Sequence, residues 1–426
     1  MLTAEKNLMV SEIAENLIGS EIIKLAGEIN EKIKQGEKIY NLTIGDFNSK
    51  IYPIPNELKN HITEAYQNDE TNYPPADGMM ALREQVSYFL NHYGHIQYAP
   101  NEILIAGGAR PLIYATFLTL VNPGEKVIFP VPSWNNNHYC HLHDAQQVII
   151  EARPENNFMP LAADIKPHLK SAAMIALCSP LNPTGTVFDK DTLIEICDLI
   201  LEENKRRLPH EKPLYLMFDQ IYWMLTYGAT VHYNPVSLRP EMKEYTIFID
   251  GLSKAFAATG VRVGWTFGPK RVIDKMKSVL GHIGAWAPKA EQVAVANYLK
   301  NYNQIDQYIT SLKSKLYDSL EGLYQGFLAL AKEGYPVKVI HPQAAMYLTV
   351  QINLKGFKMP NGQKIEHTHQ ITSYILNHAG FAIVPFSAFG AESDSCWYRI
   401  SVGNCSAVEI PGMMAAISAA FSKLSQ

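Results

Sequence analysis

Between about residues 100 and 270 the chain alternates short apolar runs with amphipathic stretches, and this alternation restricts the fold more than any other feature. "EILIAGG" reads as a strand running into glycines, and "RPLIYATFLTLV" as a helix that "NPGE" stops. "KVIFPVP" is a strand, and "AAMIALCSPLNPTG" is a strand entering a turn-rich loop. "DTLIEICDLILEENKRR" is a helix, while "PLYLMFDQIY" and "YTIFIDGLSK" are strands. Strand and helix repeated in this order read as a mostly parallel sheet covered by helices, an α/β arrangement.

The flanks differ. Residues 8 to 35 carry apolar side chains at helical spacing and read as a helix. After about residue 310 a long helical stretch leads into "VKVIHPQAAMYLTVQI", the helix "THQITSYILNHA", the strands "FAIVPF" and "WYRISVG", and a last helix. This is the pattern of a smaller α+β unit. The expected division is 1–45 as an N-terminal segment packing with the small domain, 46–305 as the large domain and 306–426 as the small domain. A length of 426 residues favours two domains, and 47% hydrophobic with 18% charged residues is ordinary for a globular chain.

A net charge of -4 argues against a broad nucleic-acid or anionic-membrane surface. The five cysteines are widely spaced and form no Cys-x-x-Cys pair, so a reduced, cytoplasmic setting is expected. The N-terminus does not read as a signal peptide, and no run is long enough to span a membrane.

Ligands of open parallel sheets bind beyond the carboxyl ends of the strands. Five polar clusters fall there: Gly107-Gly108-Ala109-Arg110, Ser133-Trp134, Asn182-Pro183-Thr184-Gly185, Asp219 with Tyr222, and Ser253-Lys254. Singly, each has an ordinary structural account as a turn, a cap or a core aromatic. Together they point to a site. Free amides at the start of the helix after Gly108 favour an anion such as phosphate. Trp134 can stack on a planar ligand. The Asn182 amide can donate to a ligand oxygen. Asp219 can pair with a buried cation such as a protonated ring nitrogen. A desolvated Lys254 can have a depressed pKa and form a Schiff base, and Arg262, eight residues on, can neutralise a phosphate.

The stretch "SKAFAATGVRVGW" carries Ser-Lys and then Gly-x-Arg-x-Gly. Here the chain resembles the fold-type I pyridoxal-phosphate enzymes, and within them the class I/II aminotransferases that include aspartate aminotransferase. The resemblance runs from "LTIGDF" to "YRISVG". It implies that Lys254 holds pyridoxal 5'-phosphate as a Schiff base and moves the proton, and that Asp219 pairs with the pyridinium nitrogen. Tyr222 and Asn182 would bond the phenolic oxygen, and Trp134 would stack on the ring. Gly108, Ala109, Ser253 and Arg262 would bind the phosphate, with Arg110 at the phosphate or beside it. Tyr73, in "TNYPPADG", would reach the phosphate of a partner subunit, so a homodimer with shared sites is implied. Arg399 would clamp the substrate carboxylate, and Gly45 belongs to the N-terminal substrate-side loop.

Three departures stand out. Ala109 and Pro111 replace polar residues common in the phosphate loop, and Phe386 stands where many members have glycine, near the substrate entrance. "NNNHYCHLHDA" gathers His138, Cys140, His141, His143 and Asp144. Neither helical nor strand spacing puts all three histidines on one side, so a helix with surface histidines is expected there and no metal site. The expected activity is transfer of an amino group from an L-amino acid to a 2-oxo acid. A pyridoxal-phosphate lyase on the same scaffold and a non-catalytic cofactor-binding descendant are the alternatives.

Overall fold

A computed structural model describes residues 9–17 and 21–425. Seven strands form the large sheet. After β1 (Tyr40–Asn41), these are β2 (Ile103–Ala106), β3 (Lys126–Val131), β4 (Gln146–Glu151), β5 (Ala172–Cys178), β6 (Tyr215–Asp219), β7 (Thr246–Gly251) and β8 (Gly264–Phe267). Their spatial order is β2-β8-β7-β6-β5-β3-β4. β8 runs antiparallel to both its neighbours, and the remaining pairs are parallel. The expected mostly parallel sheet is therefore present, with one reversed strand that the sequence reading left out.

The strands read as unbroken apolar runs because both faces are covered. Ile103 and Ile105 enter one core with Ile175, Phe218 and Phe248, while Leu104 and Ala106 enter another with Val127, Ala176 and Ile249. The helix Met80–Gly94 covers the first face, and Ala109–Leu120 with Lys270–Ile283 covers the second.

A 31-residue helix, Tyr302–Lys332, leads to the second sheet. That sheet comprises β9 (Val337–Val339) and β10 (Tyr347–Ile352), then, beyond β11 (Phe381–Ala382), β12 (Val384–Pro385) and β13 (Trp397–Ser401), in the order β12-β13-β10-β9. "FAIVPF" is thus two short strands in different sheets, since β11 pairs in parallel with β1. That pairing ties the N-terminal segment to the C-terminal unit.

The single helix expected over residues 8–35 is two pieces, Glu12–Glu15 and Glu21–Lys34; residues 8 and 18–20 lie outside the described residues. The first piece ends at Asn16, whose side-chain amide turns back to the Glu12 carbonyl. "NNHYCHL" is a helix, Asn136–Leu142, but its histidines are not all surface groups. His143 is buried and stacks on Phe117 at 5.9 Å between centroids, because it follows the last turn and faces the helix Ala109–Leu120. His141 lies 2.9 Å from the Ile13 carbonyl. Among the described residues no helix is long and apolar enough to cross a membrane.

β8 reaches the site edge through a glycine. A Cβ on Gly264 would stand 2.6 Å from the Gly108 carbonyl carbon and 2.9 Å from the Ala109 nitrogen. Gly281, within a helix, has open space instead. Gly264→Ala should lower stability by about 1–3 kcal/mol through overpacking. Gly281→Ala should be neutral or raise it by up to about 1 kcal/mol. Urea unfolding of both variants checks this; equal effects would contradict the contact.

Candidate active site

Five loops at the carboxyl edge of the large sheet, the N-terminal segment and β13 enclose a cavity of about 470 Å³. Of the residues expected to bind cofactor or substrate, all line it except two. Gly108 lies behind the wall, where a Cβ would collide with the Arg262 guanidinium. Tyr73 is 84% exposed, edge-on to Trp286 at 5.4 Å, outside the cavity of its own chain.

Lys254 sits on a single helical turn, Leu252–Ala255, directly after β7. Its Nζ donates to the Gly45 carbonyl at 2.5 Å. Burial pulls its pKa from 10.5 down to about 8; Asp46 opposes this, and Arg399, Arg110 and Arg262 add to it. Asp219 closes β6 and accepts from the Ile221 amide at 3.0 Å. Burial pushes its carboxyl up from 3.8 to about 6, against that amide and Lys254. Each group is thus drawn toward its neutral form by the same low-dielectric cavity.

Arg262 has a left-handed backbone (φ 60°) and donates to the carbonyls of Thr259 at 2.8 Å and Gly107 at 2.7 Å. Each terminal nitrogen keeps a second hydrogen for another acceptor. The Gly108 amide is already spent on the Ala106 carbonyl. The first-turn amides from Ala109 onward, in the helix Ala109–Leu120, lack intrahelical acceptors. Ser253 is buried at the same end. The Arg110 guanidinium lies 5.4 Å from the Trp134 ring centroid.

Arg399 is buried and central. Its guanidinium donates to Asn182 Oδ1 at 3.0 Å and to the Thr43 carbonyl at 2.6 Å. It is sandwiched between Tyr347 at 4.9 Å and Phe389 at 4.8 Å. Its Nε is buried without a partner. Gly45 must be small: a Cβ there would stand 2.9 Å from the Tyr347 hydroxyl and 3.6 Å from Arg399. Phe386, expected near the entrance, is not in the wall. It turns away to pack on Phe158 at 5.1 Å, and Phe389 faces Arg399 in its place.

Sequence reasoning missed Asp46, Asn136, Thr259 and Tyr347 as wall residues. Asp46 adjoins Gly45 and accepts from Thr259 Oγ1 at 2.6 Å. Tyr347 gave no signal beyond an apolar strand. A larger depression at the opposite edge of the sheet, lined by Glu125, Glu203, Arg207 and Lys212, has these charges paired with one another.

These residues fit pyridoxal phosphate. The wall holds four cations, Arg110, Lys254, Arg262 and Arg399, against two carboxylates, Asp46 and Asp219. That excess suits a phosphate together with a substrate carboxylate. The buried Asp219 carboxylate suits a cationic ring nitrogen, and the unpartnered Arg399 Nε suits a carboxylate.

Residues 37–417 match the family model of class I and II aminotransferases. The chain belongs to that family, within the pyridoxal-phosphate-dependent fold-type I superfamily, and is an enzyme of the aminotransferase type. It is 28% identical over 393 residues to an aspartate aminotransferase of Bacillus sp. (strain YM-2), covering 91% of this chain and 93% of that one. An aspartate aminotransferase of Pinus pinaster is 30% identical, over 86% of this chain and 71% of that protein. The fold is shared with the crystal structure of the aspartate aminotransferase from Rhizobium meliloti, at TM-score 0.88 and 23% identity, covering 98% and 100% of the two chains.

The shifted pair makes the ligand-free site a source of instability. Asp219 binds its proton more tightly folded than unfolded, so its contribution is full below pH 3.8 and lost as pH rises through about 6. Lys254 contributes above pH 10.5 and loses that contribution as pH falls through about 8. At pH 7 both are charged and neither contributes. Asp219→Asn should therefore stabilise the apoprotein at pH 7 by on the order of 1 kcal/mol, discounted because the group faces cavity water. At pH 4 the gain should shrink towards nothing. Denaturant titrations at the two pH values test this; an equal gain at both would refute it.

Proposed function

We propose that the chain transfers an amino group from an L-amino acid to a 2-oxo acid, with pyridoxal 5'-phosphate held at Lys254. The observation that carries this reading is one buried cavity that places a Lys254 amine of lowered pKa together with Asp219, Arg262 and Arg399. When bound, the cofactor supplies an electron sink that makes the amino acid's Cα proton removable.

The residues divide the remaining work. Arg262, Ser253, the Ala109 amide, the Gly108 turn and Arg110 hold the phosphate. Trp134 covers one face of the ring, and Tyr222 with Asn182 bonds its phenolic oxygen. Asp219 keeps the ring nitrogen protonated by charge pairing. Arg399 holds the α-carboxylate, with Gly45 leaving room beside it. Lys254, whose amine burial draws toward its neutral form, takes the Cα proton in that form and returns it.

Tyr73, exposed on its own chain, would complete the site of a second copy, making a homodimer with shared sites. The chain divides at 1–45, 46–305 and 306–426 in this reading. Five free thiols favour a cytoplasmic setting.

A panel of amino donors, each mixed with the holoenzyme without acceptor, tests the function. A productive donor should bleach the visible absorbance and release one oxo acid per site, and an added 2-oxo acid should restore the colour. Arg399→Leu should raise the apparent KM for donor and acceptor roughly 10-fold or more while the cofactor stays bound. Continuous ammonia release without any acceptor would instead establish a lyase.

A further inference from the structure

The hydroxyl oxygens of Tyr222 and Tyr347 stand 2.6 Å apart, with ring centroids 5.5 Å apart. Both side chains are buried and both line the cavity. A phenol has one proton to give. In this pair one hydroxyl must donate to the other, so only one keeps a proton for a third group. Burial pushes both phenols upward, so both remain neutral near pH 7.

Tyr347 is held from several sides. β10 lies between β9 and β13, its ring lies 4.9 Å from the Arg399 guanidinium, and Gly45 leaves its hydroxyl just enough space. Two neighbouring polar atoms are engaged elsewhere. Cys178 donates to the Pro180 carbonyl. Asp46 Oδ1 accepts from Thr259 and from the Phe47 amide. Arg399 offers no acceptor, and Lys254 Nζ lies 5.8 Å from the Tyr222 ring centroid, bonded to Gly45. Among the described residues, Tyr222 is the hydrogen-bond partner of the Tyr347 hydroxyl.

We infer that Tyr347 is a positioning residue: its hydroxyl donates to Tyr222 and thereby turns the Tyr222 proton into the cavity, toward the cofactor's phenolic oxygen. This rests on the proposed binding of pyridoxal phosphate at Lys254. A donated bond also polarises the Tyr222 hydroxyl and makes it a better donor, as in any hydrogen-bond chain. A strong donor on the phenolic oxygen holds negative charge there, which lowers the proton affinity of the adjacent Schiff-base nitrogen. Loss of Tyr347's hydroxyl therefore raises that affinity, and it does so only through Tyr222.

Titration of the holoenzyme's visible absorbance against pH measures this without turnover. Tyr347→Phe keeps the ring against Arg399. It should raise the titration midpoint by about half to one pH unit, the size of one hydrogen bond. Tyr222→Phe should raise the midpoint at least as far, and adding Tyr347→Phe to it should change nothing more. An unshifted midpoint in Tyr347→Phe, or the same further shift in the Tyr222→Phe background, overturns the role. If wild type forms no pH-titrating visible species, the cofactor assignment itself falls and this role with it.

Discussion

The contact between the Lys254 amine and the Gly45 carbonyl marks where the ligand-free site is assembled. It joins three separately built parts. Lys254 arrives on the turn after β7, at the edge where the parallel strands end. Gly45 arrives on the N-terminal segment, which β1 anchors to β11. The space that Gly45 occupies is bounded by Tyr347 and Arg399 from the second sheet.

Electrostatics follows from this assembly. The cavity gathers more cationic than anionic side chains, and burial makes each uncompensated charge expensive. The protein holds the cations with neutral acceptors and aromatic faces. Arg262 is fixed by two carbonyls, and Arg399 by a carbonyl, the Asn182 amide oxygen and two rings. Such partners orient a guanidinium without cancelling its charge, so the charge stays available to an incoming anion. A fold that only needed stability would have no unpaired buried cations to hold.

Much of this was legible in the sequence, for physical reasons. Strands covered on both faces appear as unbroken apolar runs, and polar residues just past their ends mark the ligand edge. Lys254, Asp219 and Asn182 stood out in this way, and Arg262 by its spacing from Lys254. Other parts carry weaker signals. β8 is four residues long, follows a glycine-rich loop, and reverses direction within a pattern that reads as parallel. β4 is an edge strand, so "QQVIIE" keeps polar residues that blur its periodicity. Tyr347 looks like a core aromatic because its ring is one; the hydroxyl's meeting with Tyr222 depends on packing between residues 125 apart. His143 is buried by tertiary contact with Phe117, which local spacing does not encode.

The central claim is that the Lys254 amine is the group that takes the cofactor. Reduction of the pyridoxal-phosphate-loaded protein with borohydride, followed by peptide mapping, tests it most directly. The account predicts one pyridoxyl label per chain, on the peptide containing Lys254, and loss of that label in Lys254→Ala. A stoichiometric label on any other lysine, or no cofactor uptake by the wild-type chain, would contradict it.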